Sequence, residues 1–193
     1  MSHEDFQAEL AVLAKRYGTP TRVDFIFEMN PEEFQLVIQS TLQGRYHDVT
    51  LFIRHNDKYV VIEKHMYAKT GILRAPSGGA SLGETLEEAA HREGKEETGL
   101  EIKLERFVLE SHVTFLCEGH FPINWVSYVF SAHSIGGELG TQDPTEISDV
   151  QLRTQDELQN EIRPLLLASK SGGFKYRAGL TDAFFAALEA RTD

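Results

Sequence analysis

The sequence predicts an α/β protein with helices packed on a mixed sheet. Strand-like alternation recurs in runs on both sides of a strongly helical segment at residues 84–98. Further helical periodicity appears near both ends of the chain, at residues 6–17 and 180–188. Strands that flank a central helix are typical of a sheet with helices packed against it. The 193 residues are enough for one well-buried core and too few to favour two full domains.

The first 46 residues look like an extension without a recognisable chemical motif. Its first helix is indicated by apolar residues at helical spacing, namely Phe6, Leu10, Leu13 and Tyr17. A strand is expected at residues 21–28, where apolar and polar side chains alternate. Pro31 then opens a second helix with an acidic first turn, which should end near Gly44.

A hairpin and a turn-rich loop are predicted between this extension and the central helix. Residues 49–54 and 59–64 are strand-like, and the polar residues 55–58 join them. A third short strand is expected at residues 71–75, directly before the turn-forming residues 76–79. The loop thus leads from the strands to the start of the helix.

The central helix at residues 84–98 carries its own start and stop signals. Thr85 and Glu88 fit a capping box, in which each side chain bonds to the backbone of the other residue. Gly99 stands where a glycine commonly ends a helix. This is the most strongly indicated element of the chain.

Two long strands are predicted after the central helix, at residues 102–117 and 125–133. The rest of the chain is expected to form a glycine-rich loop at 136–140, a short strand at 150–153, a helix from Thr154, a turn at 171–173, and a final helix with Leu180, Phe184, Ala187 and Leu188 on one face. No internal repeat or long linker separates these elements.

The composition argues against several classes of function. With 30 acidic and 19 basic residues, the formal net charge is -11, which argues against nucleic acid polymers as partners. The only cysteine, Cys117, permits neither a disulfide framework nor a cysteine zinc site within one chain. No signal-like N-terminus is present, and no stretch approaches the roughly 18 apolar residues of a membrane span. We therefore expect a cytoplasmic protein with no membrane partner.

The face of the central helix changes character along its length. On a wheel with about 100° per residue, its apolar face begins with Leu86, Ala89 and Ala90. One to two turns later the same face carries Glu93, Glu96 and Glu97. Three carboxylates so close together repel one another unless a cation compensates them, and carboxylate oxygens suit Mg²⁺ or Mn²⁺. On these acids alone, an ordinary solvated helix is an equally good interpretation.

Residues 78–100 carry a spaced pattern of glycine, arginine and glutamate. Gly78 is followed after five residues by Glu84, and after seven more by the run REGKEETGL at residues 92–100. This pattern resembles the Nudix box. It departs from the family at Gly94, where a bulky hydrophobic residue is usual. Glycine there should cost about 1 kcal/mol of helix propensity relative to alanine and leave the local packing thinner.

The resemblance implies a Nudix hydrolase, in which a loop-helix-loop lies against an α/β/α sandwich. It indicates a Nudix domain at residues 47–160, preceded by an α/β extension at 1–46 and followed by a helical tail at 161–193 packed on the same domain. The implied function is divalent-metal-dependent hydrolysis of a nucleoside diphosphate linked to another moiety, with water attacking phosphorus. The alternative is a catalytically silent Nudix-fold module that binds a nucleotide or nucleotide sugar. A homodimer is compatible with either function.

The resemblance also assigns roles to single residues. The metal ligands would be the side chains of Glu93, Glu96 and Glu97 with the backbone carbonyl of Ser77, holding Mg²⁺ or Mn²⁺. Arg92 would orient the neighbouring glutamates, and Glu84 would hold the loop or a further metal ion. The general base varies in the family. Glu93 is the first candidate and Glu146 the second, although Glu146 could equally be a surface loop residue.

Contacts to the substrate are less strongly indicated. Gly78 and Gly79 would let the backbone approach a ligand closely. Arg74, and more weakly Arg54 and Lys64, could meet phosphate, although exposed strand residues are an equally good interpretation. Aromatic residues in the second long strand could stack a nucleobase but are more often core, namely Trp125 and Tyr128. The markers of individual Nudix subfamilies are missing at their usual offsets, so the substrate stays open within the nucleotide class.

Overall fold

The computed structural model describes residues 3–42, 44–81 and 83–190 and folds them into a central sheet with helices on both faces. The strands of this part of the chain are β1 (Thr21–Glu28), β2 (His47–His55), β3 (Lys58–Lys64), β4 (Ser77–Gly78), β5 (Leu100–Leu116), β6 (Ile123–Gly137) and β7 (Ile147–Arg153). The helices are α1 (His3–Tyr17), α2 (Pro31–Leu42), α3 (Leu86–Thr98), α4 (Gln155–Glu157), α5 (Arg163–Ala168) and α6 (Gly172–Glu189). A 3-10 turn, His65–Tyr67, follows β3, and a π-helical turn, Leu158–Ile162, joins α4 to α5.

The sheet is mixed, as the sequence predicts. Its strand order is β1-β5-β6-β2-β3-β7, with β4 paired to β2. The β1–β5 and β6–β2 pairs are parallel, and the others are antiparallel. The N-terminal strand β1 therefore belongs to the same sheet as the rest of the chain, along β5 from Thr21 opposite Leu109 to Glu28 opposite Leu116.

Two hydrophobic cores lie on opposite faces of this sheet, because successive side chains of a strand point to opposite sides. On β2, Leu51 and Ile53 pack with α1 and α3, whereas Phe52 packs with the other core. That second core includes residues of α2, α5 and α6, among them Phe34, Leu166 and Phe184. The arrangement confirms the α/β/α sandwich. No helix among the described residues is long and apolar enough to cross a membrane.

Three local predictions are wrong. The strand expected at residues 71–75 does not form, because the chain turns at Gly71, where φ is +77°, and only Arg74 then reaches β3, in an isolated bridge to Ile62. Residues 77–78, expected in a turn, instead form β4 against β2. The turn expected at residues 171–173 is the start of α6, where the Ser171 side chain caps the helix by accepting from the N–H of Phe174.

Helix α3 forms as its end signals predict. The Thr85 and Glu88 side chains each bond to the backbone of the other residue, and Gly99 adopts the left-handed conformation that ends the helix. The expectation of thin packing at Gly94 is not met. Gly94 is buried, and a Cβ atom there would lie 2.9 Å from Cδ1 of Ile102 on β5. Glycine at this position lets the helix approach the sheet closely.

Candidate active site

The loop before α3 brings its backbone against two glutamates of the helix. The buried N–H of Ser77 donates to Oε2 of Glu97 at 2.7 Å. The Glu93 carboxylate lies so close to Gly78 that a Cβ atom there would be 2.0 Å from Oε1 of Glu93. Because β4 pairs with β2 and the apolar start of α3 packs on the same sheet, the fold itself sets this approach.

Arg92 joins the loop to three glutamates through five hydrogen bonds. Its guanidinium donates to both oxygens of Glu84 at 2.8 and 2.9 Å and to the Gly79 carbonyl at 2.9 Å. It also donates to Glu93 at 2.8 Å and to Glu96 at 2.9 Å. Its hydrogen bonds hold the pKa of Glu84 below the usual range. Burial raises the pKa of Glu93 even though Arg92 opposes the shift.

Glu84 also fixes the loop from within. Its carboxylate accepts from the backbone N–H of Ser81 at 2.7 Å as well as from Arg92. Both interactions tie the carboxylate to the segment that precedes α3. Of the two roles expected for Glu84, holding the loop is the one its contacts support.

Glu97 is the most deeply buried acid of the cluster, and its side chain is only 4% exposed. Two cations compensate its charge. The ammonium of Lys64 lies 3.2 Å from Oε1, and the guanidinium of Arg74 lies 3.9 Å from it. Lys64 also pairs with Glu146, so it links Glu97 to the loop before β7.

The three acids of the predicted stripe differ in their surroundings. Glu93 is mostly enclosed, with 13% of its side chain exposed, and Glu97 more so. Glu96 faces the solvent, with 47% of its side chain exposed. The inward face of α3 therefore carries two of the three carboxylates, and the third lies at its rim.

A cavity of about 390 Å³ opens beside this loop. Six of the predicted site residues line it, namely Lys64, Arg74, Ser77, Gly78, Gly79 and Glu146. Arg54 does not reach it, because Arg54 lies at the end of β2 opposite Tyr59, next to the hairpin turn. Trp125 lines the cavity, whereas Tyr128 packs in the core beneath α1 and α3. A contact between Tyr128 and a ligand in this cavity is therefore excluded by its place in the core.

Much of the cavity wall comes from residues that carry no recognisable motif. Helix α2 and the residues next to it contribute Met29, Glu33, Leu36, Val37, Ser40 and Arg45. Helix α6 and its start contribute Ser171, Gly173, Phe174, Tyr176 and Arg177. The charge of Arg45 and Arg177 was the only available signal, and it does not distinguish them from other arginines. The N-terminal extension thus forms one wall of the candidate site.

Two sets of polar contacts connect α6 to the sheet beside the cavity. Arg177 donates to Oδ2 of Asp48 at 3.1 Å and to the Thr50 hydroxyl at 3.0 Å. The Tyr176 hydroxyl donates to Ser127 at 2.7 Å. Burial, and after it the charge of Asp48, raise the pKa of Tyr176 to about 12. Tyr176 therefore acts here as a neutral hydrogen-bonding group.

The donors at this site fit a hard divalent cation by their chemistry. No group of three or more histidine, cysteine or acidic side chains within residues 3–42, 44–81 and 83–190 is arranged as a ready metal site. Glu93 and Glu97 nevertheless both lie against the Ser77–Gly78 backbone, which brings carboxylate oxygens and peptide groups together. Such oxygen ligands suit Mg²⁺ or Mn²⁺. Basic side chains compensate both acids in this arrangement.

Comparisons with known proteins agree with the motif. The family model described as NUDIX domain matches residues 45–171. The 8-oxo-dGDP phosphatase NUDT18 of Mus musculus is 30% identical over 103 residues, which cover 53% of this chain and 29% of that protein. The NAD-capped RNA hydrolase NudC of Photobacterium profundum is 30% identical over 122 residues, which cover 61% of this chain and 42% of that protein. The chain thus spans less than half the length of these curated relatives.

Solved structures extend the likeness in fold. A NUDIX hydrolase from Nitrosomonas europaea has a TM-score of 0.54 and 19% identity, covering 73% of this chain and 88% of its own. A UDP-X diphosphatase has a TM-score of 0.52 and 15% identity, covering 99% of this chain and 97% of its own. The second likeness includes the N-terminal extension and α6. At these identities the likeness concerns the fold alone.

Proposed function

Because this chain belongs to the Nudix family, we propose that it is a divalent-metal-dependent hydrolase of a nucleoside diphosphate linked to another moiety. The observation that carries this proposal is the contact of Glu93 and Glu97 with the backbone of Ser77 and Gly78, two residues that line the cavity of about 390 Å³. Acidic ligands for a metal and a space for its substrate thereby adjoin. Water would attack a phosphorus atom of the phosphoanhydride.

Both the loop before α3 and the helix itself would supply ligands for the metal ion. Its ligands would be Glu93, Glu96 and Glu97 with the carbonyl of Ser77, and Mg²⁺ or Mn²⁺ bound there would neutralise charge on the phosphate leaving group and acidify a water molecule. Arg92 would position Glu93 and Glu96, which it already bonds. Glu84 would anchor Arg92 and the loop, which it already bonds, or hold a further metal ion.

The cavity supplies the charge that a diphosphate needs. Its wall carries four cationic side chains, Arg45, Lys64, Arg74 and Arg177, and three acidic ones, Glu33, Asp48 and Glu146, in a protein whose net charge is -11. Lys64 and Arg74 lie beside Glu97 and would meet the phosphates nearest the scissile bond. Gly78 and Gly79 would let those phosphates approach the backbone.

Two carboxylates remain candidates for the general base. Glu93 is the first, because it is enclosed beside the loop and has a raised pKa, which makes its carboxylate a stronger base. Glu146 is the second, because it lines the cavity and pairs with Lys64. The pH dependence of kcat/KM distinguishes them, since the variant that removes the base loses the acidic limb of the profile.

The relatives' names agree on one chemical feature. An 8-oxo-dGDP phosphatase, a NAD-capped RNA hydrolase and a UDP-X diphosphatase are each named for a substrate that contains a nucleoside diphosphate. That shared group is the substrate class proposed here. The moiety attached to the diphosphate would be recognised by the part of the cavity wall that lies outside the matched residues 45–171, which comes from α2 and α6.

The test is a hydrolysis screen with Mg²⁺ and with Mn²⁺ over nucleoside triphosphates, 8-oxo-dGDP, ADP-ribose, NAD, nucleotide sugars and dinucleoside polyphosphates. The products identify the bond that is cut, and H₂¹⁸O identifies the phosphorus that is attacked. Metal-dependent cleavage of a phosphoanhydride that Glu97→Gln abolishes supports the proposal. Ligand-induced thermal stabilisation without any turnover would instead indicate a silent binding module. Sedimentation in the same buffer tests the homodimer.

A further inference from the structure

Asp48 is a buried carboxylate in the cavity wall that the proposed reaction does not use. The residue is only 6% exposed. Its Oδ2 atom accepts a hydrogen bond from Arg177 at 3.1 Å. Its Oδ1 atom is enclosed and has no hydrogen-bond partner among the residues that the structure describes. A buried charged oxygen without a donor is unfavourable, so a ligand that supplies one gains binding energy there.

The position of Asp48 relates it to the loop assigned to the phosphates. On β2, Val49 lies opposite Gly78 and Thr50 opposite Ser77 in an antiparallel pair. Asp48 is therefore next in line toward Gly79, on a strand about 5 Å away. The Arg45 side chain packs against Gly79, where a Cβ atom would lie 2.5 Å from its Cδ. A cation thus covers the loop on the side where Asp48 lies.

These surroundings select the chemistry of the group that meets Asp48. A phosphate offers only acceptor oxygens and negative charge, so the carboxylate repels it, while Arg45, Lys64 and Arg74 attract it. The group at Asp48 must instead be a neutral donor close to the phosphates. In a nucleoside diphosphate the ribose is joined directly to the first phosphate. Its hydroxyl groups are nearer to the phosphates than the N–H groups of most bases.

Resting on the proposed function, we infer that Asp48 accepts a hydrogen bond from a ribose hydroxyl of the bound nucleoside diphosphate. The cavity then takes ribonucleotides in preference to nucleotides that lack this hydroxyl. Since Oδ1 is enclosed, the contact requires a turn of the carboxylate toward the cavity. Arg177 can follow this turn, because a guanidinium has five N–H donors and the bonds to Asp48 and Thr50 come from two different nitrogens.

The first measurement uses the unaltered protein and changes the ligand. Of ADP, GDP, CDP and UDP, the tightest ligand in Mg²⁺ buffer is compared by calorimetry with its 2′-deoxy, 3′-deoxy and 2′-fluoro forms. Loss of the contacted hydroxyl should weaken binding about tenfold, the size expected for a hydrogen bond to a charged group. If the 2′-hydroxyl is the donor, the 2′-fluoro form weakens as well, because fluorine cannot donate.

The second measurement changes the carboxylate. Asp48→Asn keeps the size of the side chain and a contact for Arg177 but removes the charge. It should weaken the ribonucleotide about tenfold relative to the deoxy form, so that the preference disappears. Loss of the repulsion between the carboxylate and the phosphates acts on both forms equally and leaves this ratio unaffected. Asp149→Asn is the matched control, because Asp149 is an exposed acid on β7. Should Asp48→Asn fail to fold, the ligand series on the unaltered protein decides alone.

Several results overturn the inference. One is equal binding of the ribo and deoxy forms by the unaltered protein. Another is an Asp48→Asn variant that weakens both forms equally, which indicates a contact to the base. A third is a loss of Mg²⁺ affinity in this variant without nucleotide, which makes Asp48 a metal ligand.

Failure of this inference is distinguishable from failure of the proposed function. If the protein prefers the ribose form but hydrolyses no substrate, the proposed function is refuted and the ribose contact stands. Hydrolysis that uses ribo and deoxy substrates equally removes the ribose contact alone. If none of the four nucleoside diphosphates binds and no substrate of the screen is cut, both are overturned.

Discussion

The carboxylate of Glu93 lies against the backbone of Gly78, where a Cβ atom would come within 2.0 Å of Oε1. A glycine is therefore required for contact rather than for backbone conformation, since Gly78 is not among the glycines with positive φ. The same contact brings Glu93 to the loop that precedes α3. It thereby links the geometry of the loop to that of the proposed metal ligands.

Gly78→Ala should displace Glu93 and reduce kcat by about 100-fold, because a shift of about 1 Å in a catalytic group can cost this much. Steady-state kinetics on the substrate found by the screen measures the effect. Gly179→Ala is the control, because its Cβ atom would meet Phe25 at an ordinary 3.4 Å. That variant should keep full activity, and equal activity of the two variants would refute the role given to the Glu93 contact.

Glu97→Gln should abolish hydrolysis, with a loss of at least about 100-fold in kcat/KM. The reason is that Glu97 is the buried proposed ligand on which Ser77, Lys64 and Arg74 converge. Glu87→Gln is the matched change on the same helix. Glu87 is partly exposed and accepts from Arg16 and from the Tyr17 hydroxyl. Glutamine keeps an acceptor for both, so the change should cost about 1 kcal/mol of stability or less and no activity. Full activity of Glu97→Gln would remove Glu97 from the metal site.

Gly94→Ala should destabilise the protein by about 1 kcal/mol, although alanine is the better helix former. The new methyl group would lie 2.9 Å from Cδ1 of Ile102, and this overpacking outweighs the gain in propensity. Urea unfolding measures the change. Ile102→Val removes the obstructing atom, so the double variant should be more stable than the sum of the two single changes predicts. Strict additivity would show that the two residues do not interfere.

Glu9→Gln should stabilise the protein at neutral pH and not at acidic pH. Burial raises the pKa of Glu9, although its hydrogen bond from the Leu86 N–H opposes the shift. The folded state therefore binds this proton more tightly than the unfolded state, and ionisation above the raised pKa weakens folding. Below the unfolded pKa of glutamate the penalty is absent. Unfolding free energies of variant and parent, compared at about pH 7.5 and about pH 4, should converge at the lower pH, and a constant difference would contradict this account.

Sequence patterns predicted the elements with strong local signals. Helix α3 begins next to Thr85 and ends before Gly99, because the capping box and the left-handed glycine satisfy its terminal groups locally. The strand expected at residues 71–75 failed for the opposite reason. Pairing with a neighbour decides whether a strand forms, and only Arg74 of that segment meets β3. Segments whose structure depends on distant partners were therefore less predictable.

The candidate site likewise has a part that the sequence predicted and a part that depends on tertiary packing. The resemblance carried by residues 78–100 predicted that Arg92 orients the neighbouring glutamates, and Arg92 does bond to Glu93 and Glu96, because one helix carries all three residues. Helical spacing also placed Glu96 on the inward face, whereas its side chain is 47% exposed. The boundary between core and solvent depends on what packs against a helix. A helical wheel shows which residues share a face but not which part of that face is covered by the rest of the protein.

By itself, the sequence determined the mixed α/β fold, the Nudix family and the glutamate cluster, because these follow from local periodicity and a short spaced motif. The tertiary structure alone decided the cavity. Its wall joins Arg45 and Asp48 to Arg177, and 129 residues separate Asp48 from Arg177. Residues of helices α2 and α6 complete that wall, and they reach it only after long-range packing of both helices on the sheet. The residues of these elements carry no sequence motif. Their place in the wall follows from strand pairing and from burial of the helices on the sheet, which the sequence alone does not specify.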